Sequence, residues 1–520
     1  MSNPLYLILG LLVAVSYPLG VEPLRFADPA VGLRASVAGV AGYALLAWGL
    51  HRALVPGRVE LLPVARLGLR WMALLLYAAL VYVFHFPLWV WECGLEESAF
   101  FRPIVTLLPL LVLLSVLALL GARFDSRRGS YGGAVLFAFR GFAGFCLVPV
   151  LLMIGVDAIL ERVDWLRRAA FVVPALGWGL AIGGMLCLVA VLPFLIRLAF
   201  GARPLAPGPL RERFERLCRE TGFRCRELLV LRTGGARLAN AFIVGMAAPV
   251  RYVFFTDAIV RGMTPESLEC VLAHEIAHSR RGHLKAFLAA MLGFSFLNAS
   301  LLELLEGSLH PLAISLLIAG IAVVFWAGIF GWVSRRFETE ADLAAAKTAP
   351  GGAGAMAEAL RSVAELNRIS PWAWSWRHFS IAKRIDLLIM AEADPARGEA
   401  FERRCAGWRS GAVAFLLVGL AVSGLLGARQ VSRSGARSEL FASYERADRG
   451  GELLQKERFL EARTELLRAI QGGAEDVAQA WLWLARCERA LGDPEAARKD
   501  EAEARRRGIT DPRERLRLAR

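Results

Sequence analysis

The sequence predicts a mainly α-helical membrane protein that crosses the bilayer several times, with a small sheet-containing domain and a helical tail. Hydrophobic residues make up 56% of the 520 residues, and the mean hydropathy of +0.48 is too high for an ordinary soluble protein. Long apolar runs alternate with polar stretches, and strand-like apolar segments occur in the first of the two polar stretches in the middle of the chain. These observations together predict a polytopic protein with more than one domain.

Nine apolar runs predict membrane spans, because about 20 such residues are needed to cross the hydrocarbon core. Two of these runs predict a transmembrane hairpin over residues 284–334, and a last span fits residues 410–428. A signal peptide is the alternative for the first run, but that run lacks a basic start. The six runs of the N-terminal membrane region, residues 1–200, are residues 4–21, 35–55, 71–91, 103–122, 135–156 and 169–196.

The charge balance indicates contact with lipid and predicts an orientation. The net charge is +14, which in a chain this hydrophobic favours the lipid bilayer over nucleic acid as the partner. Basic residues predominate in the 51–70 and 122–134 loops, which the positive-inside rule places in the cytoplasm. With six spans before them, the polar stretches 201–283 and 335–409 then lie at the cytoplasmic face. The Arg- and Ala-rich composition favours a bacterial inner membrane.

The charged tail, residues 436–520, shows weak internal repetition. Ala462 and Ala469 recur as Ala497 and Ala504 at an offset of 35 residues. Small residues with this period are typical of tetratricopeptide repeats, whose surfaces bind protein partners. A plain helical hairpin is the alternative interpretation. Two repeats are few for an independent solenoid, so we expect the tail to pack against another part of the protein.

The segment TPESLECVLAHEIAHSRRGH carries the clearest chemical signal. Thr264 suits an N-cap and Pro265 suits the first helical position, so the segment predicts a helix. His274 and His278 are four residues apart, on one helical face, where both can bind a single Zn²⁺. Glu275 lies beside the first histidine, within reach of a zinc-activated water, and is predicted to be the general base. The sequence thus predicts a catalytic site with one Zn²⁺ per chain.

The third metal ligand must come from another part of the chain. The metzincin pattern is excluded, because Arg281 and Leu284 stand where that pattern needs Gly and His. The segment SRRFETEADLAAAK follows the predicted hairpin, which returns the chain to the membrane face that carries HEIAH. Its acidic side chains, Glu338, Glu340 and Asp342, are the candidates, and the residues alone leave the choice among them open.

This order of motifs resembles the membrane gluzincin metallopeptidases, the group of the HtpX-type proteases and the CAAX prenyl endopeptidases. HEIAH, a hairpin of spans and an ExxxD motif after Ser-Arg-Arg carry the resemblance, which covers about residues 205–395. It implies a zincin-type catalytic domain, with a small β-sheet beside the HExxH helix, whose two halves are residues 201–283 and 335–409. The segments NAFIV and PVRYVFFTD independently predict two strands of such a sheet.

The resemblance also implies roles for individual residues. Glu338 would be the third zinc ligand, and Asp342 would orient a ligand histidine. Asn240, in ANAFIVG, would contact the substrate backbone. His378, in WRHFSIAKRI, would stabilise the oxyanion, and Arg384 would support it at the substrate side of the site.

One residue departs from the pattern of the group, and one more histidine needs an interpretation. The group has Pro after the residue that corresponds to His378, whereas Phe379 stands there in this chain. The spacing from His378 to Arg384 is kept. The departure therefore concerns only the backbone conformation at His378.

His283 lies five residues beyond His278, off the metal face of the helix, and is interpreted as structural.

The sequence therefore predicts an integral membrane zinc metalloendopeptidase that acts on protein or peptide substrates. Quality control of membrane proteins or regulated proteolysis is the expected setting. CAAX-type prenyl-peptide processing is an alternative that the same motifs fit. A catalytically idle membrane scaffold, which recruits a protein partner through the tail, is a second alternative, and the intact His274, Glu275, His278 and Glu338 argue against it.

Overall fold

A computed structural model describes the chain from residue 29 to residue 507, with short gaps. Within the described residues the chain is mostly helical and contains one four-stranded sheet. The predicted fold class, a mainly α-helical membrane protein with a small sheet, is confirmed. The gaps are residues 55–60, 91–92, 94–100, 126–130, 143–150, 152–153, 156–158, 160–161, 237, 306–307, 310, 374, 376, 433 and 475–477.

The helices of the N-terminal region pack around buried apolar side chains and are tied together by two tyrosines. The Tyr43 hydroxyl donates a hydrogen bond to the Leu69 carbonyl at 3.1 Å, and the Tyr77 hydroxyl donates one to the Thr106 carbonyl at 3.1 Å. These bonds link three helices where no water would compete for the donors. The helices are α1 (Pro29–Leu54), α2 (Leu62–Tyr82), α3 (Phe86–Val90), α4 (Phe101–Asp125), α5 (Tyr131–Phe142), α6 (Asp164–Val172) and α7 (Pro174–Phe200).

Seven helices of the described part are long and apolar enough to cross a membrane, judged by length and composition. The predicted span at residues 4–21, and much of the one at residues 135–156, lie outside the described residues. The run predicted at residues 71–91 is divided at His85, because Pro87 fits the start of a helix but not its interior. The seven helices are Ala30–Leu54, Val64–Tyr82, Ile104–Gly121, Ile182–Phe200, His283–Leu305, Leu317–Thr348 and Pro395–Arg429.

The sheet consists of strands β1 (Arg203–Pro204), β2 (Glu227–Leu231), β3 (Ala241–Val244) and β4 (Tyr252–Thr256), in the order β1-β2-β4-β3. Strands β2 and β4 are parallel, whereas β1 and β3 run antiparallel to their neighbours. Every residue of β4 is buried, as expected for a central strand that is covered on both faces. Strand β3 is an edge strand of this sheet, and both strands predicted around the turn are present.

The helices of the middle region run through the predicted domain boundaries without interruption. A π-helical segment, Val324–Phe330, joins the two helices on either side of it, so the second arm of the predicted hairpin continues as helix to Thr348. The last predicted span likewise lies within one helix of 38 residues. A helix satisfies its own backbone hydrogen bonds, so it can leave the bilayer without a loop. The helices are α8 (Pro209–Glu220), α9 (Asp257–Gly262), α10 (Pro265–Arg280), α11 (His283–Leu305), α12 (Pro311–Val323), α13 (Gly331–Thr348), α14 (Gly352–Asn367), α15 (Ile381–Ala393) and α16 (Pro395–Ser432).

Four helices form the described part of the tail, and each packs on the next. The alanines of the predicted repetition are fully buried between them, because small side chains let helices approach closely. The first tail helix also contacts α6, where the Arg167 guanidinium lies 5.6 Å from the centre of the Phe441 ring. The tail therefore packs against the N-terminal region, while its assignment as a tetratricopeptide repeat stays a prediction. Its helices are α17 (Ser434–Gln455), α18 (Phe459–Gln471), α19 (Ala478–Ala490) and α20 (Pro494–Arg506).

Candidate active site

Helix α10 presents the HEIAH segment because both of its ends are specified by sequence. The Thr264 hydroxyl accepts a hydrogen bond from the Ser267 backbone N–H at 3.2 Å, and Pro265 occupies the first turn. At the other end Gly282 has a φ of 74°, a left-handed conformation that favours glycine and ends the helix. Between these ends His274 and His278 lie on one face, with their Nε2 atoms 3.2 Å apart.

Glu338 approaches the two histidines from helix α13. Its carboxylate lies 3.5 Å from Nε2 of His274 and 3.6 Å from Nε2 of His278. One ligand atom from each of the three side chains lies within 4.8 Å of the others. Two imidazole nitrogens and one carboxylate are a donor set that suits a catalytic zinc ion, which keeps further positions open for water and substrate. The residues present therefore fit the predicted metal.

The outer nitrogen of His274 faces a buried carboxylate. Nδ1 of His274 is 2.9 Å from Oδ1 of Asp342, whose side chain is 1% exposed. Arg384, from helix α15, donates to both oxygens of Asp342, at 2.7 Å from Nε and 2.6 Å from Nη2. This bidentate pairing holds the carboxylate in place, so that Nε2 of His274 faces the donor cluster.

The outer nitrogen of His278 faces a second imidazole. Nδ1 of His283 lies 2.9 Å from Nδ1 of His278, and Nε2 of His283 lies 2.8 Å from Oε2 of Glu340. His283 is indeed off the metal face, but its contact with a candidate ligand was missed by sequence reasoning. The break at Gly282 turns the chain so that the first residue of α11 lies back against α10. That glycine after HEIAH was the available signal.

Glu340, one of the three acidic candidates for the third ligand, lies away from the donor cluster. Its side chain is fully buried, and Nη1 of Arg409 donates to Oε1 of Glu340 at 2.7 Å. Arg281 also approaches this carboxylate, with 3.9 Å between its Nη1 and Oε1. Among the acidic candidates on α13, Glu338 alone thus belongs to the donor cluster found among the described residues.

The Glu275 carboxyl lines the same cleft as the two histidines. Withdrawal from solvent raises the pKa of Glu275 to about 7, although His274 opposes that rise and the Ile243 backbone N–H donates a hydrogen bond that also lowers the pKa. A carboxyl with a pKa near neutrality can both take up and release a proton at physiological pH. The hydrogen bond from Ile243 places this carboxyl beside strand β3.

The pKa values of the two candidate ligand histidines shift in opposite directions. Burial opposes a proton on His274, but the contacts with Asp342 and Glu338 raise the pKa of His274 to about 10. For His278 burial dominates and lowers the pKa to about 3. To hold a metal ion, Nε2 of each of these rings would have to be free of a proton.

The late elements of the predicted site also converge on this cleft. Nδ1 of His378 lies 3.1 Å from Oε2 of Glu338, although Phe379 follows it in place of proline. The Phe379 ring instead has Lys383 Nζ 4.4 Å from its centre. Asn240 also lines the cleft, and its backbone exchanges hydrogen bonds with Thr256 at 2.9 and 3.0 Å. The structure thus places every predicted site residue at or beside one cleft of about 390 Å³.

Comparison with known proteins identifies the family of the central region. Residues 204–433 match the family described as "Peptidase family M48". This part of the chain is therefore similar to peptidase family M48. The match contains HEIAH, the hairpin and ExxxD, and its metallopeptidases are zinc-dependent. The predicted relation to the HtpX and CAAX endopeptidase group is thereby confirmed, whereas residues 1–203 lie outside the match.

Two curated relatives are described as "CAAX prenyl protease 1 homolog". The one from Oryza sativa subsp. japonica is 27% identical over 239 residues, which cover 42% of this chain and 56% of the relative. The one from Arabidopsis thaliana is 27% identical over 179 residues, which cover 31% of this chain and 42% of the relative. The chain thus spans about half the length of the curated relatives it matches.

One solved structure, the crystal structure of Ste24p from S. mikatae, is similar to this chain with a TM-score of 0.40 and 17% sequence identity. The alignment covers 71% of this chain and 100% of the Ste24p chain. The apolar helices indicate an integral membrane protein, and the family match shows that its central region is similar to metallopeptidases.

Proposed function

We propose that this protein is an integral membrane zinc metalloendopeptidase that binds one Zn²⁺ through His274, His278 and Glu338. The observation that carries the proposal is the donor cluster itself: three ligand atoms within 4.8 Å of one another, in a cleft that Glu275 also lines. A zinc ion held this way supplies Lewis acidity, which polarises a scissile carbonyl and makes water a nucleophile near neutral pH.

Glu275 is the general base in this proposal. It takes a proton from the attacking water and passes that proton to the leaving amine. Its pKa of about 7 suits both steps, because the same carboxyl must first accept and then donate. His378 is placed to stabilise the oxyanion, since its ring lies beside Glu338 and remains 43% exposed to the cleft and solvent.

Asp342 and Arg384 support the metal site rather than the bond that is cleaved. The buried carboxylate of Asp342 orients the His274 ring, and Arg384 holds the carboxylate by two hydrogen bonds. Arg384 was predicted at the substrate side, and its pairing with Asp342 favours the supporting role. It also lines the cleft and lies 3.9 Å from Oε2 of Glu338.

The substrate class that fits this cleft is an extended peptide. Strand β3 is an edge strand, and residues 240–243 line the cleft beside helix α10. An extended segment can add to such an edge through backbone hydrogen bonds, which recognise a peptide without a particular sequence. Asn240, which directly precedes β3, would then contact the substrate backbone.

Processing of prenylated CAAX peptides is a second candidate, favoured by the description of the two curated relatives. The two candidates differ in substrate rather than in chemistry. Matched peptides with and without a prenyl group on cysteine separate them. A strong preference for the prenylated peptide supports CAAX processing, and equal cleavage supports a role in quality control or regulated proteolysis.

The orientation and the partner of the tail extend the same proposal. Basic loops at residues 51–70 and 122–134 support a catalytic cleft at the cytoplasmic face of a bacterial inner membrane. Reporter fusions at residues 60 and 250 test this, because both should report the cytoplasm. The four-helix tail is proposed to bind a protein partner, and deletion of residues 436–520 should then abolish co-purification of that partner from a native membrane.

The experiment that tests the catalytic proposal compares the purified wild type with Glu275→Gln. Both proteins should bind zinc, and only the wild type should cleave casein or a peptide. A chelator should remove the wild-type activity, and zinc should restore it. Equal cleavage by both proteins contradicts the role of Glu275, and a wild type that binds zinc without cleaving any substrate supports the idle scaffold.

A further inference from the structure

His283 lies directly behind the candidate ligand His278. Its two ring nitrogens are 2.9 Å from Nδ1 of His278 and 2.8 Å from Oε2 of Glu340. Its side chain is 1% exposed, and its ring stacks on Phe337 with 4.3 Å between ring centres and an interplanar angle of 4°. Phe337 covers one face of the ring, and the two polar contacts orient the ring by its nitrogens.

The directions of the hydrogen bonds from Glu340 through His283 to His278 follow from the charge of Glu340. Glu340 is held by Arg409 at 2.7 Å, so its carboxylate is an acceptor only. Nε2 of His283 must then carry the hydrogen, which leaves Nδ1 of a neutral His283 as an acceptor. Nδ1 of His278 donates to it, and the lone pair of His278 is thereby left on Nε2, on the side of Glu338.

We propose that His283 is a positioning residue for His278, and that Glu340 and Arg409 act through it. Together they hold His278 in the one tautomer and orientation that can bind the metal. This inference rests on the proposed zinc site and deepens it, because it adds a second support that sequence reasoning did not identify. Since Arg409 lies on helix α16, the support connects a metal ligand to the last candidate membrane span.

A role in packing alone explains neither the imidazole at residue 283 nor the buried ion pair of Glu340 with Arg409. A phenylalanine at this position would preserve the stacking on Phe337. Packing alone also does not explain the fully buried Glu340 carboxylate. Burying its ion pair with Arg409 has a desolvation cost that apolar residues of similar volume would avoid. A role in orienting His278 accounts for both the imidazole and the ion pair.

The test measures zinc affinity of the full-length protein in detergent, by competition with a chelator, in a Glu275→Gln background that removes catalysis. His283→Phe should raise the Kd for zinc by about 10- to 100-fold, as expected when an outer partner of a ligand is lost. His283→Asn keeps an acceptor near the position of Nδ1 and should lose less affinity. Glu340→Gln should also weaken binding, and it serves as the second variant if His283→Phe does not fold.

Phe337→Leu is the matched control, because it removes the stacking partner and leaves the polar chain intact. It should lower the melting temperature but change zinc affinity by less than threefold. Equal affinity in all variants, or a loss in Phe337→Leu as large as in His283→Phe, overturns the role of His283. A Glu275→Gln parent that binds no zinc overturns the proposed function itself, which is a distinguishable result.

Discussion

The two histidines of the proposed metal site differ in the side chains that lie behind them. His274 faces Asp342 directly, and Asp342 is held by Arg384 from helix α15. His278 reaches its carboxylate, Glu340, only through the imidazole of His283. Both arrangements end on an arginine, but Arg384 belongs to a helix outside the candidate spans, whereas Arg409 lies on one of them.

Helix α13 supplies carboxylates that support both of the proposed metal ligands on α10. Asp342 is four residues after Glu338 on α13 and so lies on the same face, where it reaches the histidine nearer to it. Glu340 is two residues after Glu338 and points away from that face. The helix break at Gly282 places His283 between Glu340 and His278. Glu340 therefore contacts His283, and His283 in turn contacts His278.

The largest effect is expected at Glu338, whose carboxylate lies beside both histidines. Glu338→Ala removes the proposed third zinc ligand and should reduce zinc affinity by more than the ~10- to 100-fold that is typical for loss of a side chain behind a ligand. Metal content and peptide cleavage of the purified protein measure this. Glu303→Ala, a change in another helix of the membrane hairpin, is the control, and full zinc content in Glu338→Ala would contradict the ligand assignment.

The second largest effect is expected at Asp342, the carboxylate that contacts His274 directly. Its substitution should change zinc affinity and protein stability, and the two changes can be measured separately. Asp342→Asn should weaken zinc binding by ~10- to 100-fold, because His274 loses its charged partner. It also leaves Arg384 buried without its main partner, which should destabilise the metal-free protein by about 3–5 kcal/mol. Thermal unfolding with chelator present measures the second effect. An unchanged melting temperature would show that Arg384 does not depend on Asp342.

The third prediction compares the terminal arginines of the two supports. Arg384→Lys should weaken zinc binding more than Arg409→Lys, because a lysine cannot reproduce the bidentate bonding to Asp342. Arg409 contacts Glu340 through Nη1 alone and is more exposed, at 20% against 9% for Arg384. Zinc titration of both variants in parallel checks the order. The reverse order would indicate that the relayed support is the stronger one.

The smallest effect is expected at the residue that departs from the family pattern. Phe379→Ala should change kcat/KM by less than about threefold, below ~0.7 kcal/mol, because His378 already lies beside Glu338. His378→Ala, in contrast, should lower kcat by ~100-fold or more if this ring stabilises the oxyanion. Steady-state cleavage of one peptide by both variants tests the contrast. A large loss in Phe379→Ala would show that the Phe379 ring positions His378.

Local rules in the sequence were enough to predict the part of the site that lies on one helix. Thr264, Pro265 and the four-residue spacing of His274 and His278 act within a few residues of one another, so their geometry follows from helical periodicity. Membrane helices were predictable for the same reason, since length and apolar composition are local properties. Their bounds were less predictable, as Pro87 divides one predicted run.

The choice of partners for these residues depended on contacts between distant segments. The residues alone left Glu338, Glu340 and Asp342 as equal candidates, and their separation followed only from how α13 lies across α10. The sequence predicted that His283 lies off the metal face of the helix, but it did not predict the contact with His278. Helical periodicity stops at the Gly282 break, so it gives no position for the residue that follows. The contact from His283 to Glu340 spans 57 residues of sequence, beyond any local pattern.

What the sequence by itself determined is the candidate chemistry: a helix with two imidazoles spaced to bind one metal ion and a carboxyl beside them, in a membrane-spanning chain whose central region is similar to peptidase family M48. Only the tertiary structure decided which carboxylate joins the donors and which side chains stand behind each histidine. The physical reason is that ligand identity follows from side-chain type and helical period, whereas orientation follows from packing between helices far apart in the chain.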